Sequence, residues 1–127
     1  MITTTDTANI LVLDCKIFGL AVHQKGNIPK GEVKTERIIV LGDEQKRGPI
    51  WITEPVEVHF CVPDIDGNAN LIRLNELGRQ AMSLEKCGMF DGTAYSYSVS
   101  SIGIGEDSPL KCHYVNLKLL FKIINVL

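Results

Sequence analysis

The chain has 127 residues, of which 45% are hydrophobic and 22% charged, and its formal net charge is −2. This length predicts a single domain over residues 1–127 with a core of its own. The Lys and Arg residues are not clustered, so the sequence does not predict sequence-specific nucleic-acid binding. No apolar run reaches the roughly 18 residues of a membrane span. The N-terminus lacks the positive region that begins a signal peptide, which predicts a cytoplasmic protein.

An opening helix is predicted by "TTTDTANILVLDCKIFG", because its apolar residues fall at helical spacing. Thr3 or Thr5 can cap the start of this helix, and Asp6 suits the positive end of the helix dipole. Gly19 can end the helix in a left-handed conformation. A short strand and a turn-rich loop follow.

Two further strands are predicted by different patterns. Arg37–Leu41 is apolar on both faces, so we expect a strand that is covered on both sides. "WITEPVEVHFCV" alternates, with Glu57 and His59 facing away from the apolar residues, which predicts a half-buried antiparallel strand. Pro55 has no main-chain N–H, so it marks an edge or the point where pairing starts.

The stretch "PDIDGNAN" spaces Asp64, Asp66 and Asn68 like the start of a calcium loop. That loop also needs Gly at its sixth position and Glu at its twelfth, and this chain has neither there. A structural interpretation explains the same residues. The proline stops the strand, Asp66 and the glycine after it form a turn, and Asn68 or Asn70 caps the helix. We therefore expect no metal site in this stretch.

The second half of the chain predicts one helix and two strands. "NANLIRLNELGRQAMSLEKCG" has a helical apolar stripe. "GTAYSYSVSS" alternates like a strand, "IGIGEDSP" is typical of a loop, and "KCHYVNLKLLFKIINVL" predicts a long closing strand. The order of elements predicts an α+β fold, with a mostly antiparallel sheet of four to five strands and two α-helices packed on it.

Signatures of catalysis and metal binding are missing from the sequence. The cysteines lack zinc spacing, so we expect small buried hydrophobic residues at Cys15, Cys61, Cys87 and Cys112. His23, His59 and His113 have no ligand or nucleophile pattern around them. We therefore expect that the protein is not an enzyme, that it binds no cofactor, and that it has no catalytic or metal-binding residue.

The order of these segments resembles the small tail-terminator and head–tail joining proteins of long-tailed bacteriophages, in a form seen in phages and prophages of gut bacteria. The likeness lies in arrangement more than in residue identity, and it covers nearly the whole chain. Its parts are an N-terminal helix, Pro29-Lys30 in a basic loop, the strand "ERIIVLG", a loop with Gln45 and Gly48, a V-x-V-x-F/Y-x-V-P-D strand leading into a leucine-rich helix, and the closing strand "YVNLKLLFKIINV".

This resemblance implies a structural role. Proteins of this kind form homo-oligomeric rings, usually hexameric, that end the tail tube and join it to the head. The implied partners are copies of the chain itself, tail-tube proteins and head-completion proteins. The implied location is the bacterial cytoplasm during assembly, and then the tail or neck of the virion. Apolar residues on both faces of the sheet are compatible with such association.

We expect subunit contacts in the loop "DEQKRGPIW", at Arg47, Pro49, Ile50 and Trp51. Charged residues are followed there by an apolar turn that looks exposed. An ordinary solvated hairpin loop is the alternative interpretation of the same residues.

Two other functions stay open from the sequence. A small-molecule binding domain or an enzyme would need an apolar pocket between helices and sheet, with His59, Cys61 and Tyr97 as candidate polar groups. A small interaction protein, such as an immunity protein or an adaptor, would bind one specific partner and form no ring.

Overall fold

A computed structural model describes residues 1–125, so the last two residues of the predicted closing strand lie outside the described part. Two helices are described, α1 (Thr4–Asp14) and α2 (Leu71–Ala81). The strands are β1 (Ala21–Gln24), β2 (Arg37–Leu41), β3 (Lys46–Arg47), β4 (Trp51–Pro63), β5 (Lys86–Phe90), β6 (Thr93–Asp107) and β7 (Cys112–Ile124). Within this range, no helix is long and apolar enough to cross a membrane.

The strands form one sheet in the order β1-β2-β4-β7-β6-β5, with β3 paired to the start of β4. β1 and β2 run parallel, and the other pairs are antiparallel. The predicted mostly antiparallel sheet of four to five strands is therefore wrong. Residues 1–125 form a curled, mixed sheet of seven strands.

The missed strands have identifiable causes. The predicted second helix runs to Gly88 and so includes the first part of β5. Asp91 and Gly92 (φ 49° and 74°) instead form a tight turn that pairs Lys86–Phe90 with the start of β6. The glycine-rich stretch predicted as a loop instead continues β6 to Asp107, paired with β7 beyond a bulge. β3 has only two residues, which is too short for a periodic signal.

The predicted cap and stop of the first helix are confirmed. The Thr3 hydroxyl accepts a hydrogen bond from the Asp6 N–H at 3.1 Å, and the Asp6 carboxylate accepts one from the Thr3 N–H at 2.9 Å. This reciprocal pair satisfies two of the free donors at the helix start. Gly19 ends the short 3-10 turn that follows α1, with φ 72°.

Both helices pack on one face of the sheet. The prediction for β4 is confirmed, because its buried residues on this face include Ile52, Val56, Val58, Phe60 and Val62. On the opposite face only a small cluster is buried, in which Val33 from a loop packs with Ile39, Cys61 and Cys112 of the sheet. β2 contributes to both clusters, so it is covered on both sides as predicted.

Candidate subunit interface

The four residues predicted as subunit contacts lie on the hairpin that joins β3 to β4. Lys46 pairs with Thr53 and Arg47 with Ile52, so the intervening residues form the turn. Because β7 occupies the other side of β4 over its whole length, this hairpin lies toward the β1–β2 side of the sheet. Arg47 and Pro49 are both exposed.

This turn is held by hydrogen bonds. The Gly48 N–H donates to the Trp51 carbonyl at 2.8 Å. Asn125, just after β7, donates its side-chain N–H to the Gly48 carbonyl at 2.8 Å and its main-chain N–H to the Ile50 carbonyl at 3.0 Å. The turn is therefore fixed to the end of the sheet, which distinguishes it from a loop held only by its own ends.

The hairpin presents apolar side chains to solvent. Ile50 is 64% exposed and Trp51 is 42% exposed. Trp51 pairs with Ile124 of β7, which is 38% exposed and extends the same surface. We call these three residues the tip patch. Exposed aromatic side chains are enriched in protein contact surfaces.

A second apolar surface lies at the same end of the sheet, on the opposite side. The turn between β5 and β6 follows Met89 and Phe90, which are 70% and 36% exposed. We call these two residues the β5 patch. β5 is the last strand on its side, whereas the tip patch lies toward the side of β1. The two patches differ in sequence and in position, as a head-to-tail contact between identical subunits requires.

The stretch "PDIDGNAN" forms the predicted turn and cap. Asp66 and Gly67 have φ 51° and 78°, and Asn70 accepts the Arg73 N–H through its side chain at 3.3 Å. Asp64 lies 2.6 Å from the His113 ring, which fastens the turn to the start of β7. That pair was not predicted, since its members are far apart in the sequence. Within residues 1–125, no three His, Cys, Asp or Glu side chains are grouped so as to hold a metal.

The three candidate ligand-binding residues are not brought together. Tyr97 is buried on the helix-covered face, with its hydroxyl 2.7 Å from the Asp14 carboxylate. His59 and Cys61 lie on the opposite face. His59 stacks on Tyr114, with ring centroids 4.2 Å apart, and burial lowers the pKa of its imidazole. Tyr97, His59 and Cys61 therefore pack on two different faces of the sheet and do not form one binding site.

The expectation of buried cysteines is correct at three positions and wrong at Cys87, which is exposed on β5. Cys15 and Cys112 are almost fully enclosed, and burial raises the pKa of each thiol to about 12. Burial also raises the pKa of the Cys61 thiol. Because the thiolate is the reactive form, burial disfavours reaction at these three thiols.

Glu54 is a buried polar residue that no sequence motif indicates. It belongs to the helix-covered face of β4, between Ile52 and Val56, and is 0% exposed. Its carboxylate lies 2.8 Å from the Thr7 hydroxyl of α1 and 3.1 Å from the Gln45 amide. The alternation of β4 already placed it inward, because its neighbours two residues away are both buried.

We expect Gly105→Ala to destabilise the protein and Gly103→Ala to be nearly neutral. A Cβ at Gly105 would overlap the Tyr114 ring, whereas a Cβ at Gly103 would meet no atom within 4 Å. Shifting Tyr114 also disturbs its stacking on His59. The free energy of unfolding should fall by about 1–3 kcal/mol in the first variant only. Denaturant titration measures both, and equal effects would contradict this packing.

Comparisons with known proteins inform the fold only. No protein-family model and no curated protein matches the chain. Three solved chains match it. One has a TM-score of 0.51 and 10% sequence identity, covering 98% of this chain and 92% of that chain, and its name states no function. At this identity, the likeness shows a shared fold and nothing about activity.

Proposed function

We propose that the chain is a structural subunit that assembles with itself into a closed, hexameric ring. The phage tail-terminator and head–tail joining proteins that its segment order resembles supply the proposed biological role. In that role the ring ends a tail tube and joins it to a head, with tail-tube and head-completion proteins as its partners. The protein would act in the bacterial cytoplasm during assembly and in the tail or neck of the virion afterwards.

The observation that carries the proposal is the pair of apolar patches at one end of the sheet. Ile50 and Trp51 are exposed toward the β1 side of the sheet, and Met89 and Phe90 are exposed on the β5 side. In a ring, one surface of each subunit meets a different surface of the next. We propose that the tip patch of one copy contacts the β5 patch of its neighbour.

The polar residues of the hairpin support this arrangement. Lys46 and Arg47 are exposed on β3, and Gly48 and Pro49 separate them from the tip patch. The turn of the β5 patch contains Asp91, which is also exposed. A basic border on one surface and an acidic residue on the other give charge complementarity, which sets the register of a contact more than its affinity.

The double variant Ile50→Ser with Trp51→Ser is expected to weaken self-association by at least about tenfold, because central aromatic and aliphatic residues dominate contact energies. Ile17→Ser is the matched control, since Ile17 is 77% exposed on the turn after α1 and belongs to neither patch. Sedimentation velocity over a range of concentrations measures the association of both variants.

Met89→Ser should weaken association like the tip variant, because it changes the surface that the tip patch is proposed to meet. Equal association of the wild type, the tip variant and the β5-patch variant would refute the proposed contact. A wild-type protein that stays monomeric at every concentration would refute the ring itself.

A further inference from the structure

The strand position beside β6 is only half occupied. β5 pairs with Thr93–Tyr97, the first part of β6. From Ser98 to Asp107, β6 pairs with β7 on one side and, within residues 1–125, with no strand on the other. Its outer main-chain groups are therefore free to pair with an added strand. This vacant position continues the line of β5.

An apolar groove accompanies the vacant position on the helix-covered face. The groove has a volume of about 310 Å³ and lies between α2 and β6. Ile102 and Ile104 are 39% and 58% exposed there, and Met82, directly after α2, is 61% exposed. A strand added at this edge would cover these side chains with its own apolar residues. Open edges with apolar floors are sites of strand addition.

The opposite edge of the sheet supplies a strand that fits in direction. β1 is the last strand on its side. It runs parallel to β2, and the three antiparallel pairings through β4, β7 and β6 make it antiparallel to β6. A neighbouring copy in the same orientation would thus bring β1 against β6 as an antiparallel pair.

The two edges also lie at the same height on the sheet. The residue pairs that link β1 to β6 through β2, β4 and β7 put Val22 in the same row of the sheet as Ile104. They put His23 in the same row as Gly103. A ring closes only when the operation that relates one subunit to the next is a rotation about the ring axis without a shift along that axis. Two edges at equal height on opposite sides of the subunit satisfy that condition.

We propose that β1 of one copy adds as a strand to the vacant position beside β6 of the next copy, which joins the sheets of neighbouring subunits. This inference rests on the proposed ring and specifies its seam. The tip patch and the β5 patch meet at one end of the seam, and the β1–β6 pairing forms the other end.

Side chains agree with this pairing on both faces. Val22 would lie beside Ile104 on the helix-covered face, where it already packs against the core of its own subunit. His23 would lie beside Gly103 on the opposite face, where a Cβ at Gly103 would meet no atom within 4 Å. A tilt of the strands relative to the ring axis would offset the register by two residues and keep the same faces together.

Disulfide trapping tests the seam. Gly103→Cys and His23→Cys are made as separate proteins, each with the exposed Cys87 changed to Ser, and are mixed and oxidised. A covalent dimer is expected in the mixture and in neither protein alone. A chain that carries both cysteines should give a ladder of covalent oligomers on a denaturing gel. Ala21→Cys and Lys25→Cys replace His23→Cys to test the offset registers.

Ser96→Cys is the matched control for Gly103→Cys. It lies on the same strand and face, but β5 already occupies the place beside it, so no covalent dimer with His23→Cys is expected. Ile104→Lys, which puts a charge into the groove, should abolish assembly.

The outcomes separate this inference from the proposed function. A dimer of Gly103→Cys alone would indicate two-fold pairing of β6 strands and overturn the β1–β6 seam. An oligomer by light scattering that forms no cross-link at any of the three registers would also overturn the seam and leave the ring intact. A monomer at all concentrations would overturn both.

Discussion

Phe121→Ala is expected to lower the free energy of unfolding by about 3–5 kcal/mol, the usual effect of removing a fully buried aromatic ring. Phe121 is 0% exposed and belongs to the core of the helix-covered face. Its ring lies 5.0 Å from the ring of Tyr97 and 5.9 Å from that of Tyr95, measured between centroids. The cavity left by the substitution would remove contacts from both tyrosines. Denaturant unfolding followed by tryptophan fluorescence measures the loss.

Lys122→Ala is the matched control, one residue along β7. Its side chain points to the opposite face and is exposed, so the expected change is within about 0.5 kcal/mol. Similar losses for the two variants would mean that the helix-covered face is not the main core, which would contradict the fold described above.

Glu54→Gln is expected to be more stable than the wild type at neutral pH. The Thr7 hydroxyl lies 2.9 Å from the Thr4 carbonyl and 2.8 Å from the Glu54 carboxylate, but it has one proton to donate. A protonated Glu54 resolves this competition, because it donates to Thr7 while Thr7 donates to Thr4. The second carboxylate oxygen is buried without a hydrogen-bond partner in residues 1–125. Burial raises the pKa of Glu54, against the opposing hydrogen bonds from Thr7, Gln45 and the Asp43 main chain.

The sign of the pH dependence follows from that raised pKa. The protonated form is favoured in the folded state, so its contribution is fully present below the ordinary carboxyl pKa of 4.5 and is lost as pH rises through the folded value. Between those two values the wild type should lose about 1.4 kcal/mol per pH unit relative to the Gln variant, which does not titrate. Unfolding curves from pH 4 to pH 8 measure the difference. Parallel stability profiles for the two proteins would show that Glu54 is ionised in the folded state.

Local features were predictable from the sequence because their causes are local. The capping box of Thr3 and Asp6 and the stop at Gly19 each depend on residues within one helical turn. The inward face of β4 follows from its alternation. The turn at Asp66 follows from the local preference of Asp-Gly for positive φ.

Features that depend on distant partners were not predictable. Glycines made the end of β6 resemble a loop, yet Gly103 pairs with Asn116 and Gly105 with Tyr114 in a regular ladder. The exposure of Ile50 and Trp51 was expected from the sequence, but the hydrogen bond that attaches their turn to Asn125 joins residues that are 77 positions apart. Likewise, the equal height of β1 and the free part of β6 depends on four successive strand pairings. Periodicity in one segment contains no information about such registers.

The mass of the wild-type protein in solution tests the proposed ring most directly. Light scattering on the unmodified chain, after size-exclusion chromatography over a range of loading concentrations, should give one closed species of six chain masses. A monomer at every concentration, or an open series of masses that grows with concentration, would contradict the ring.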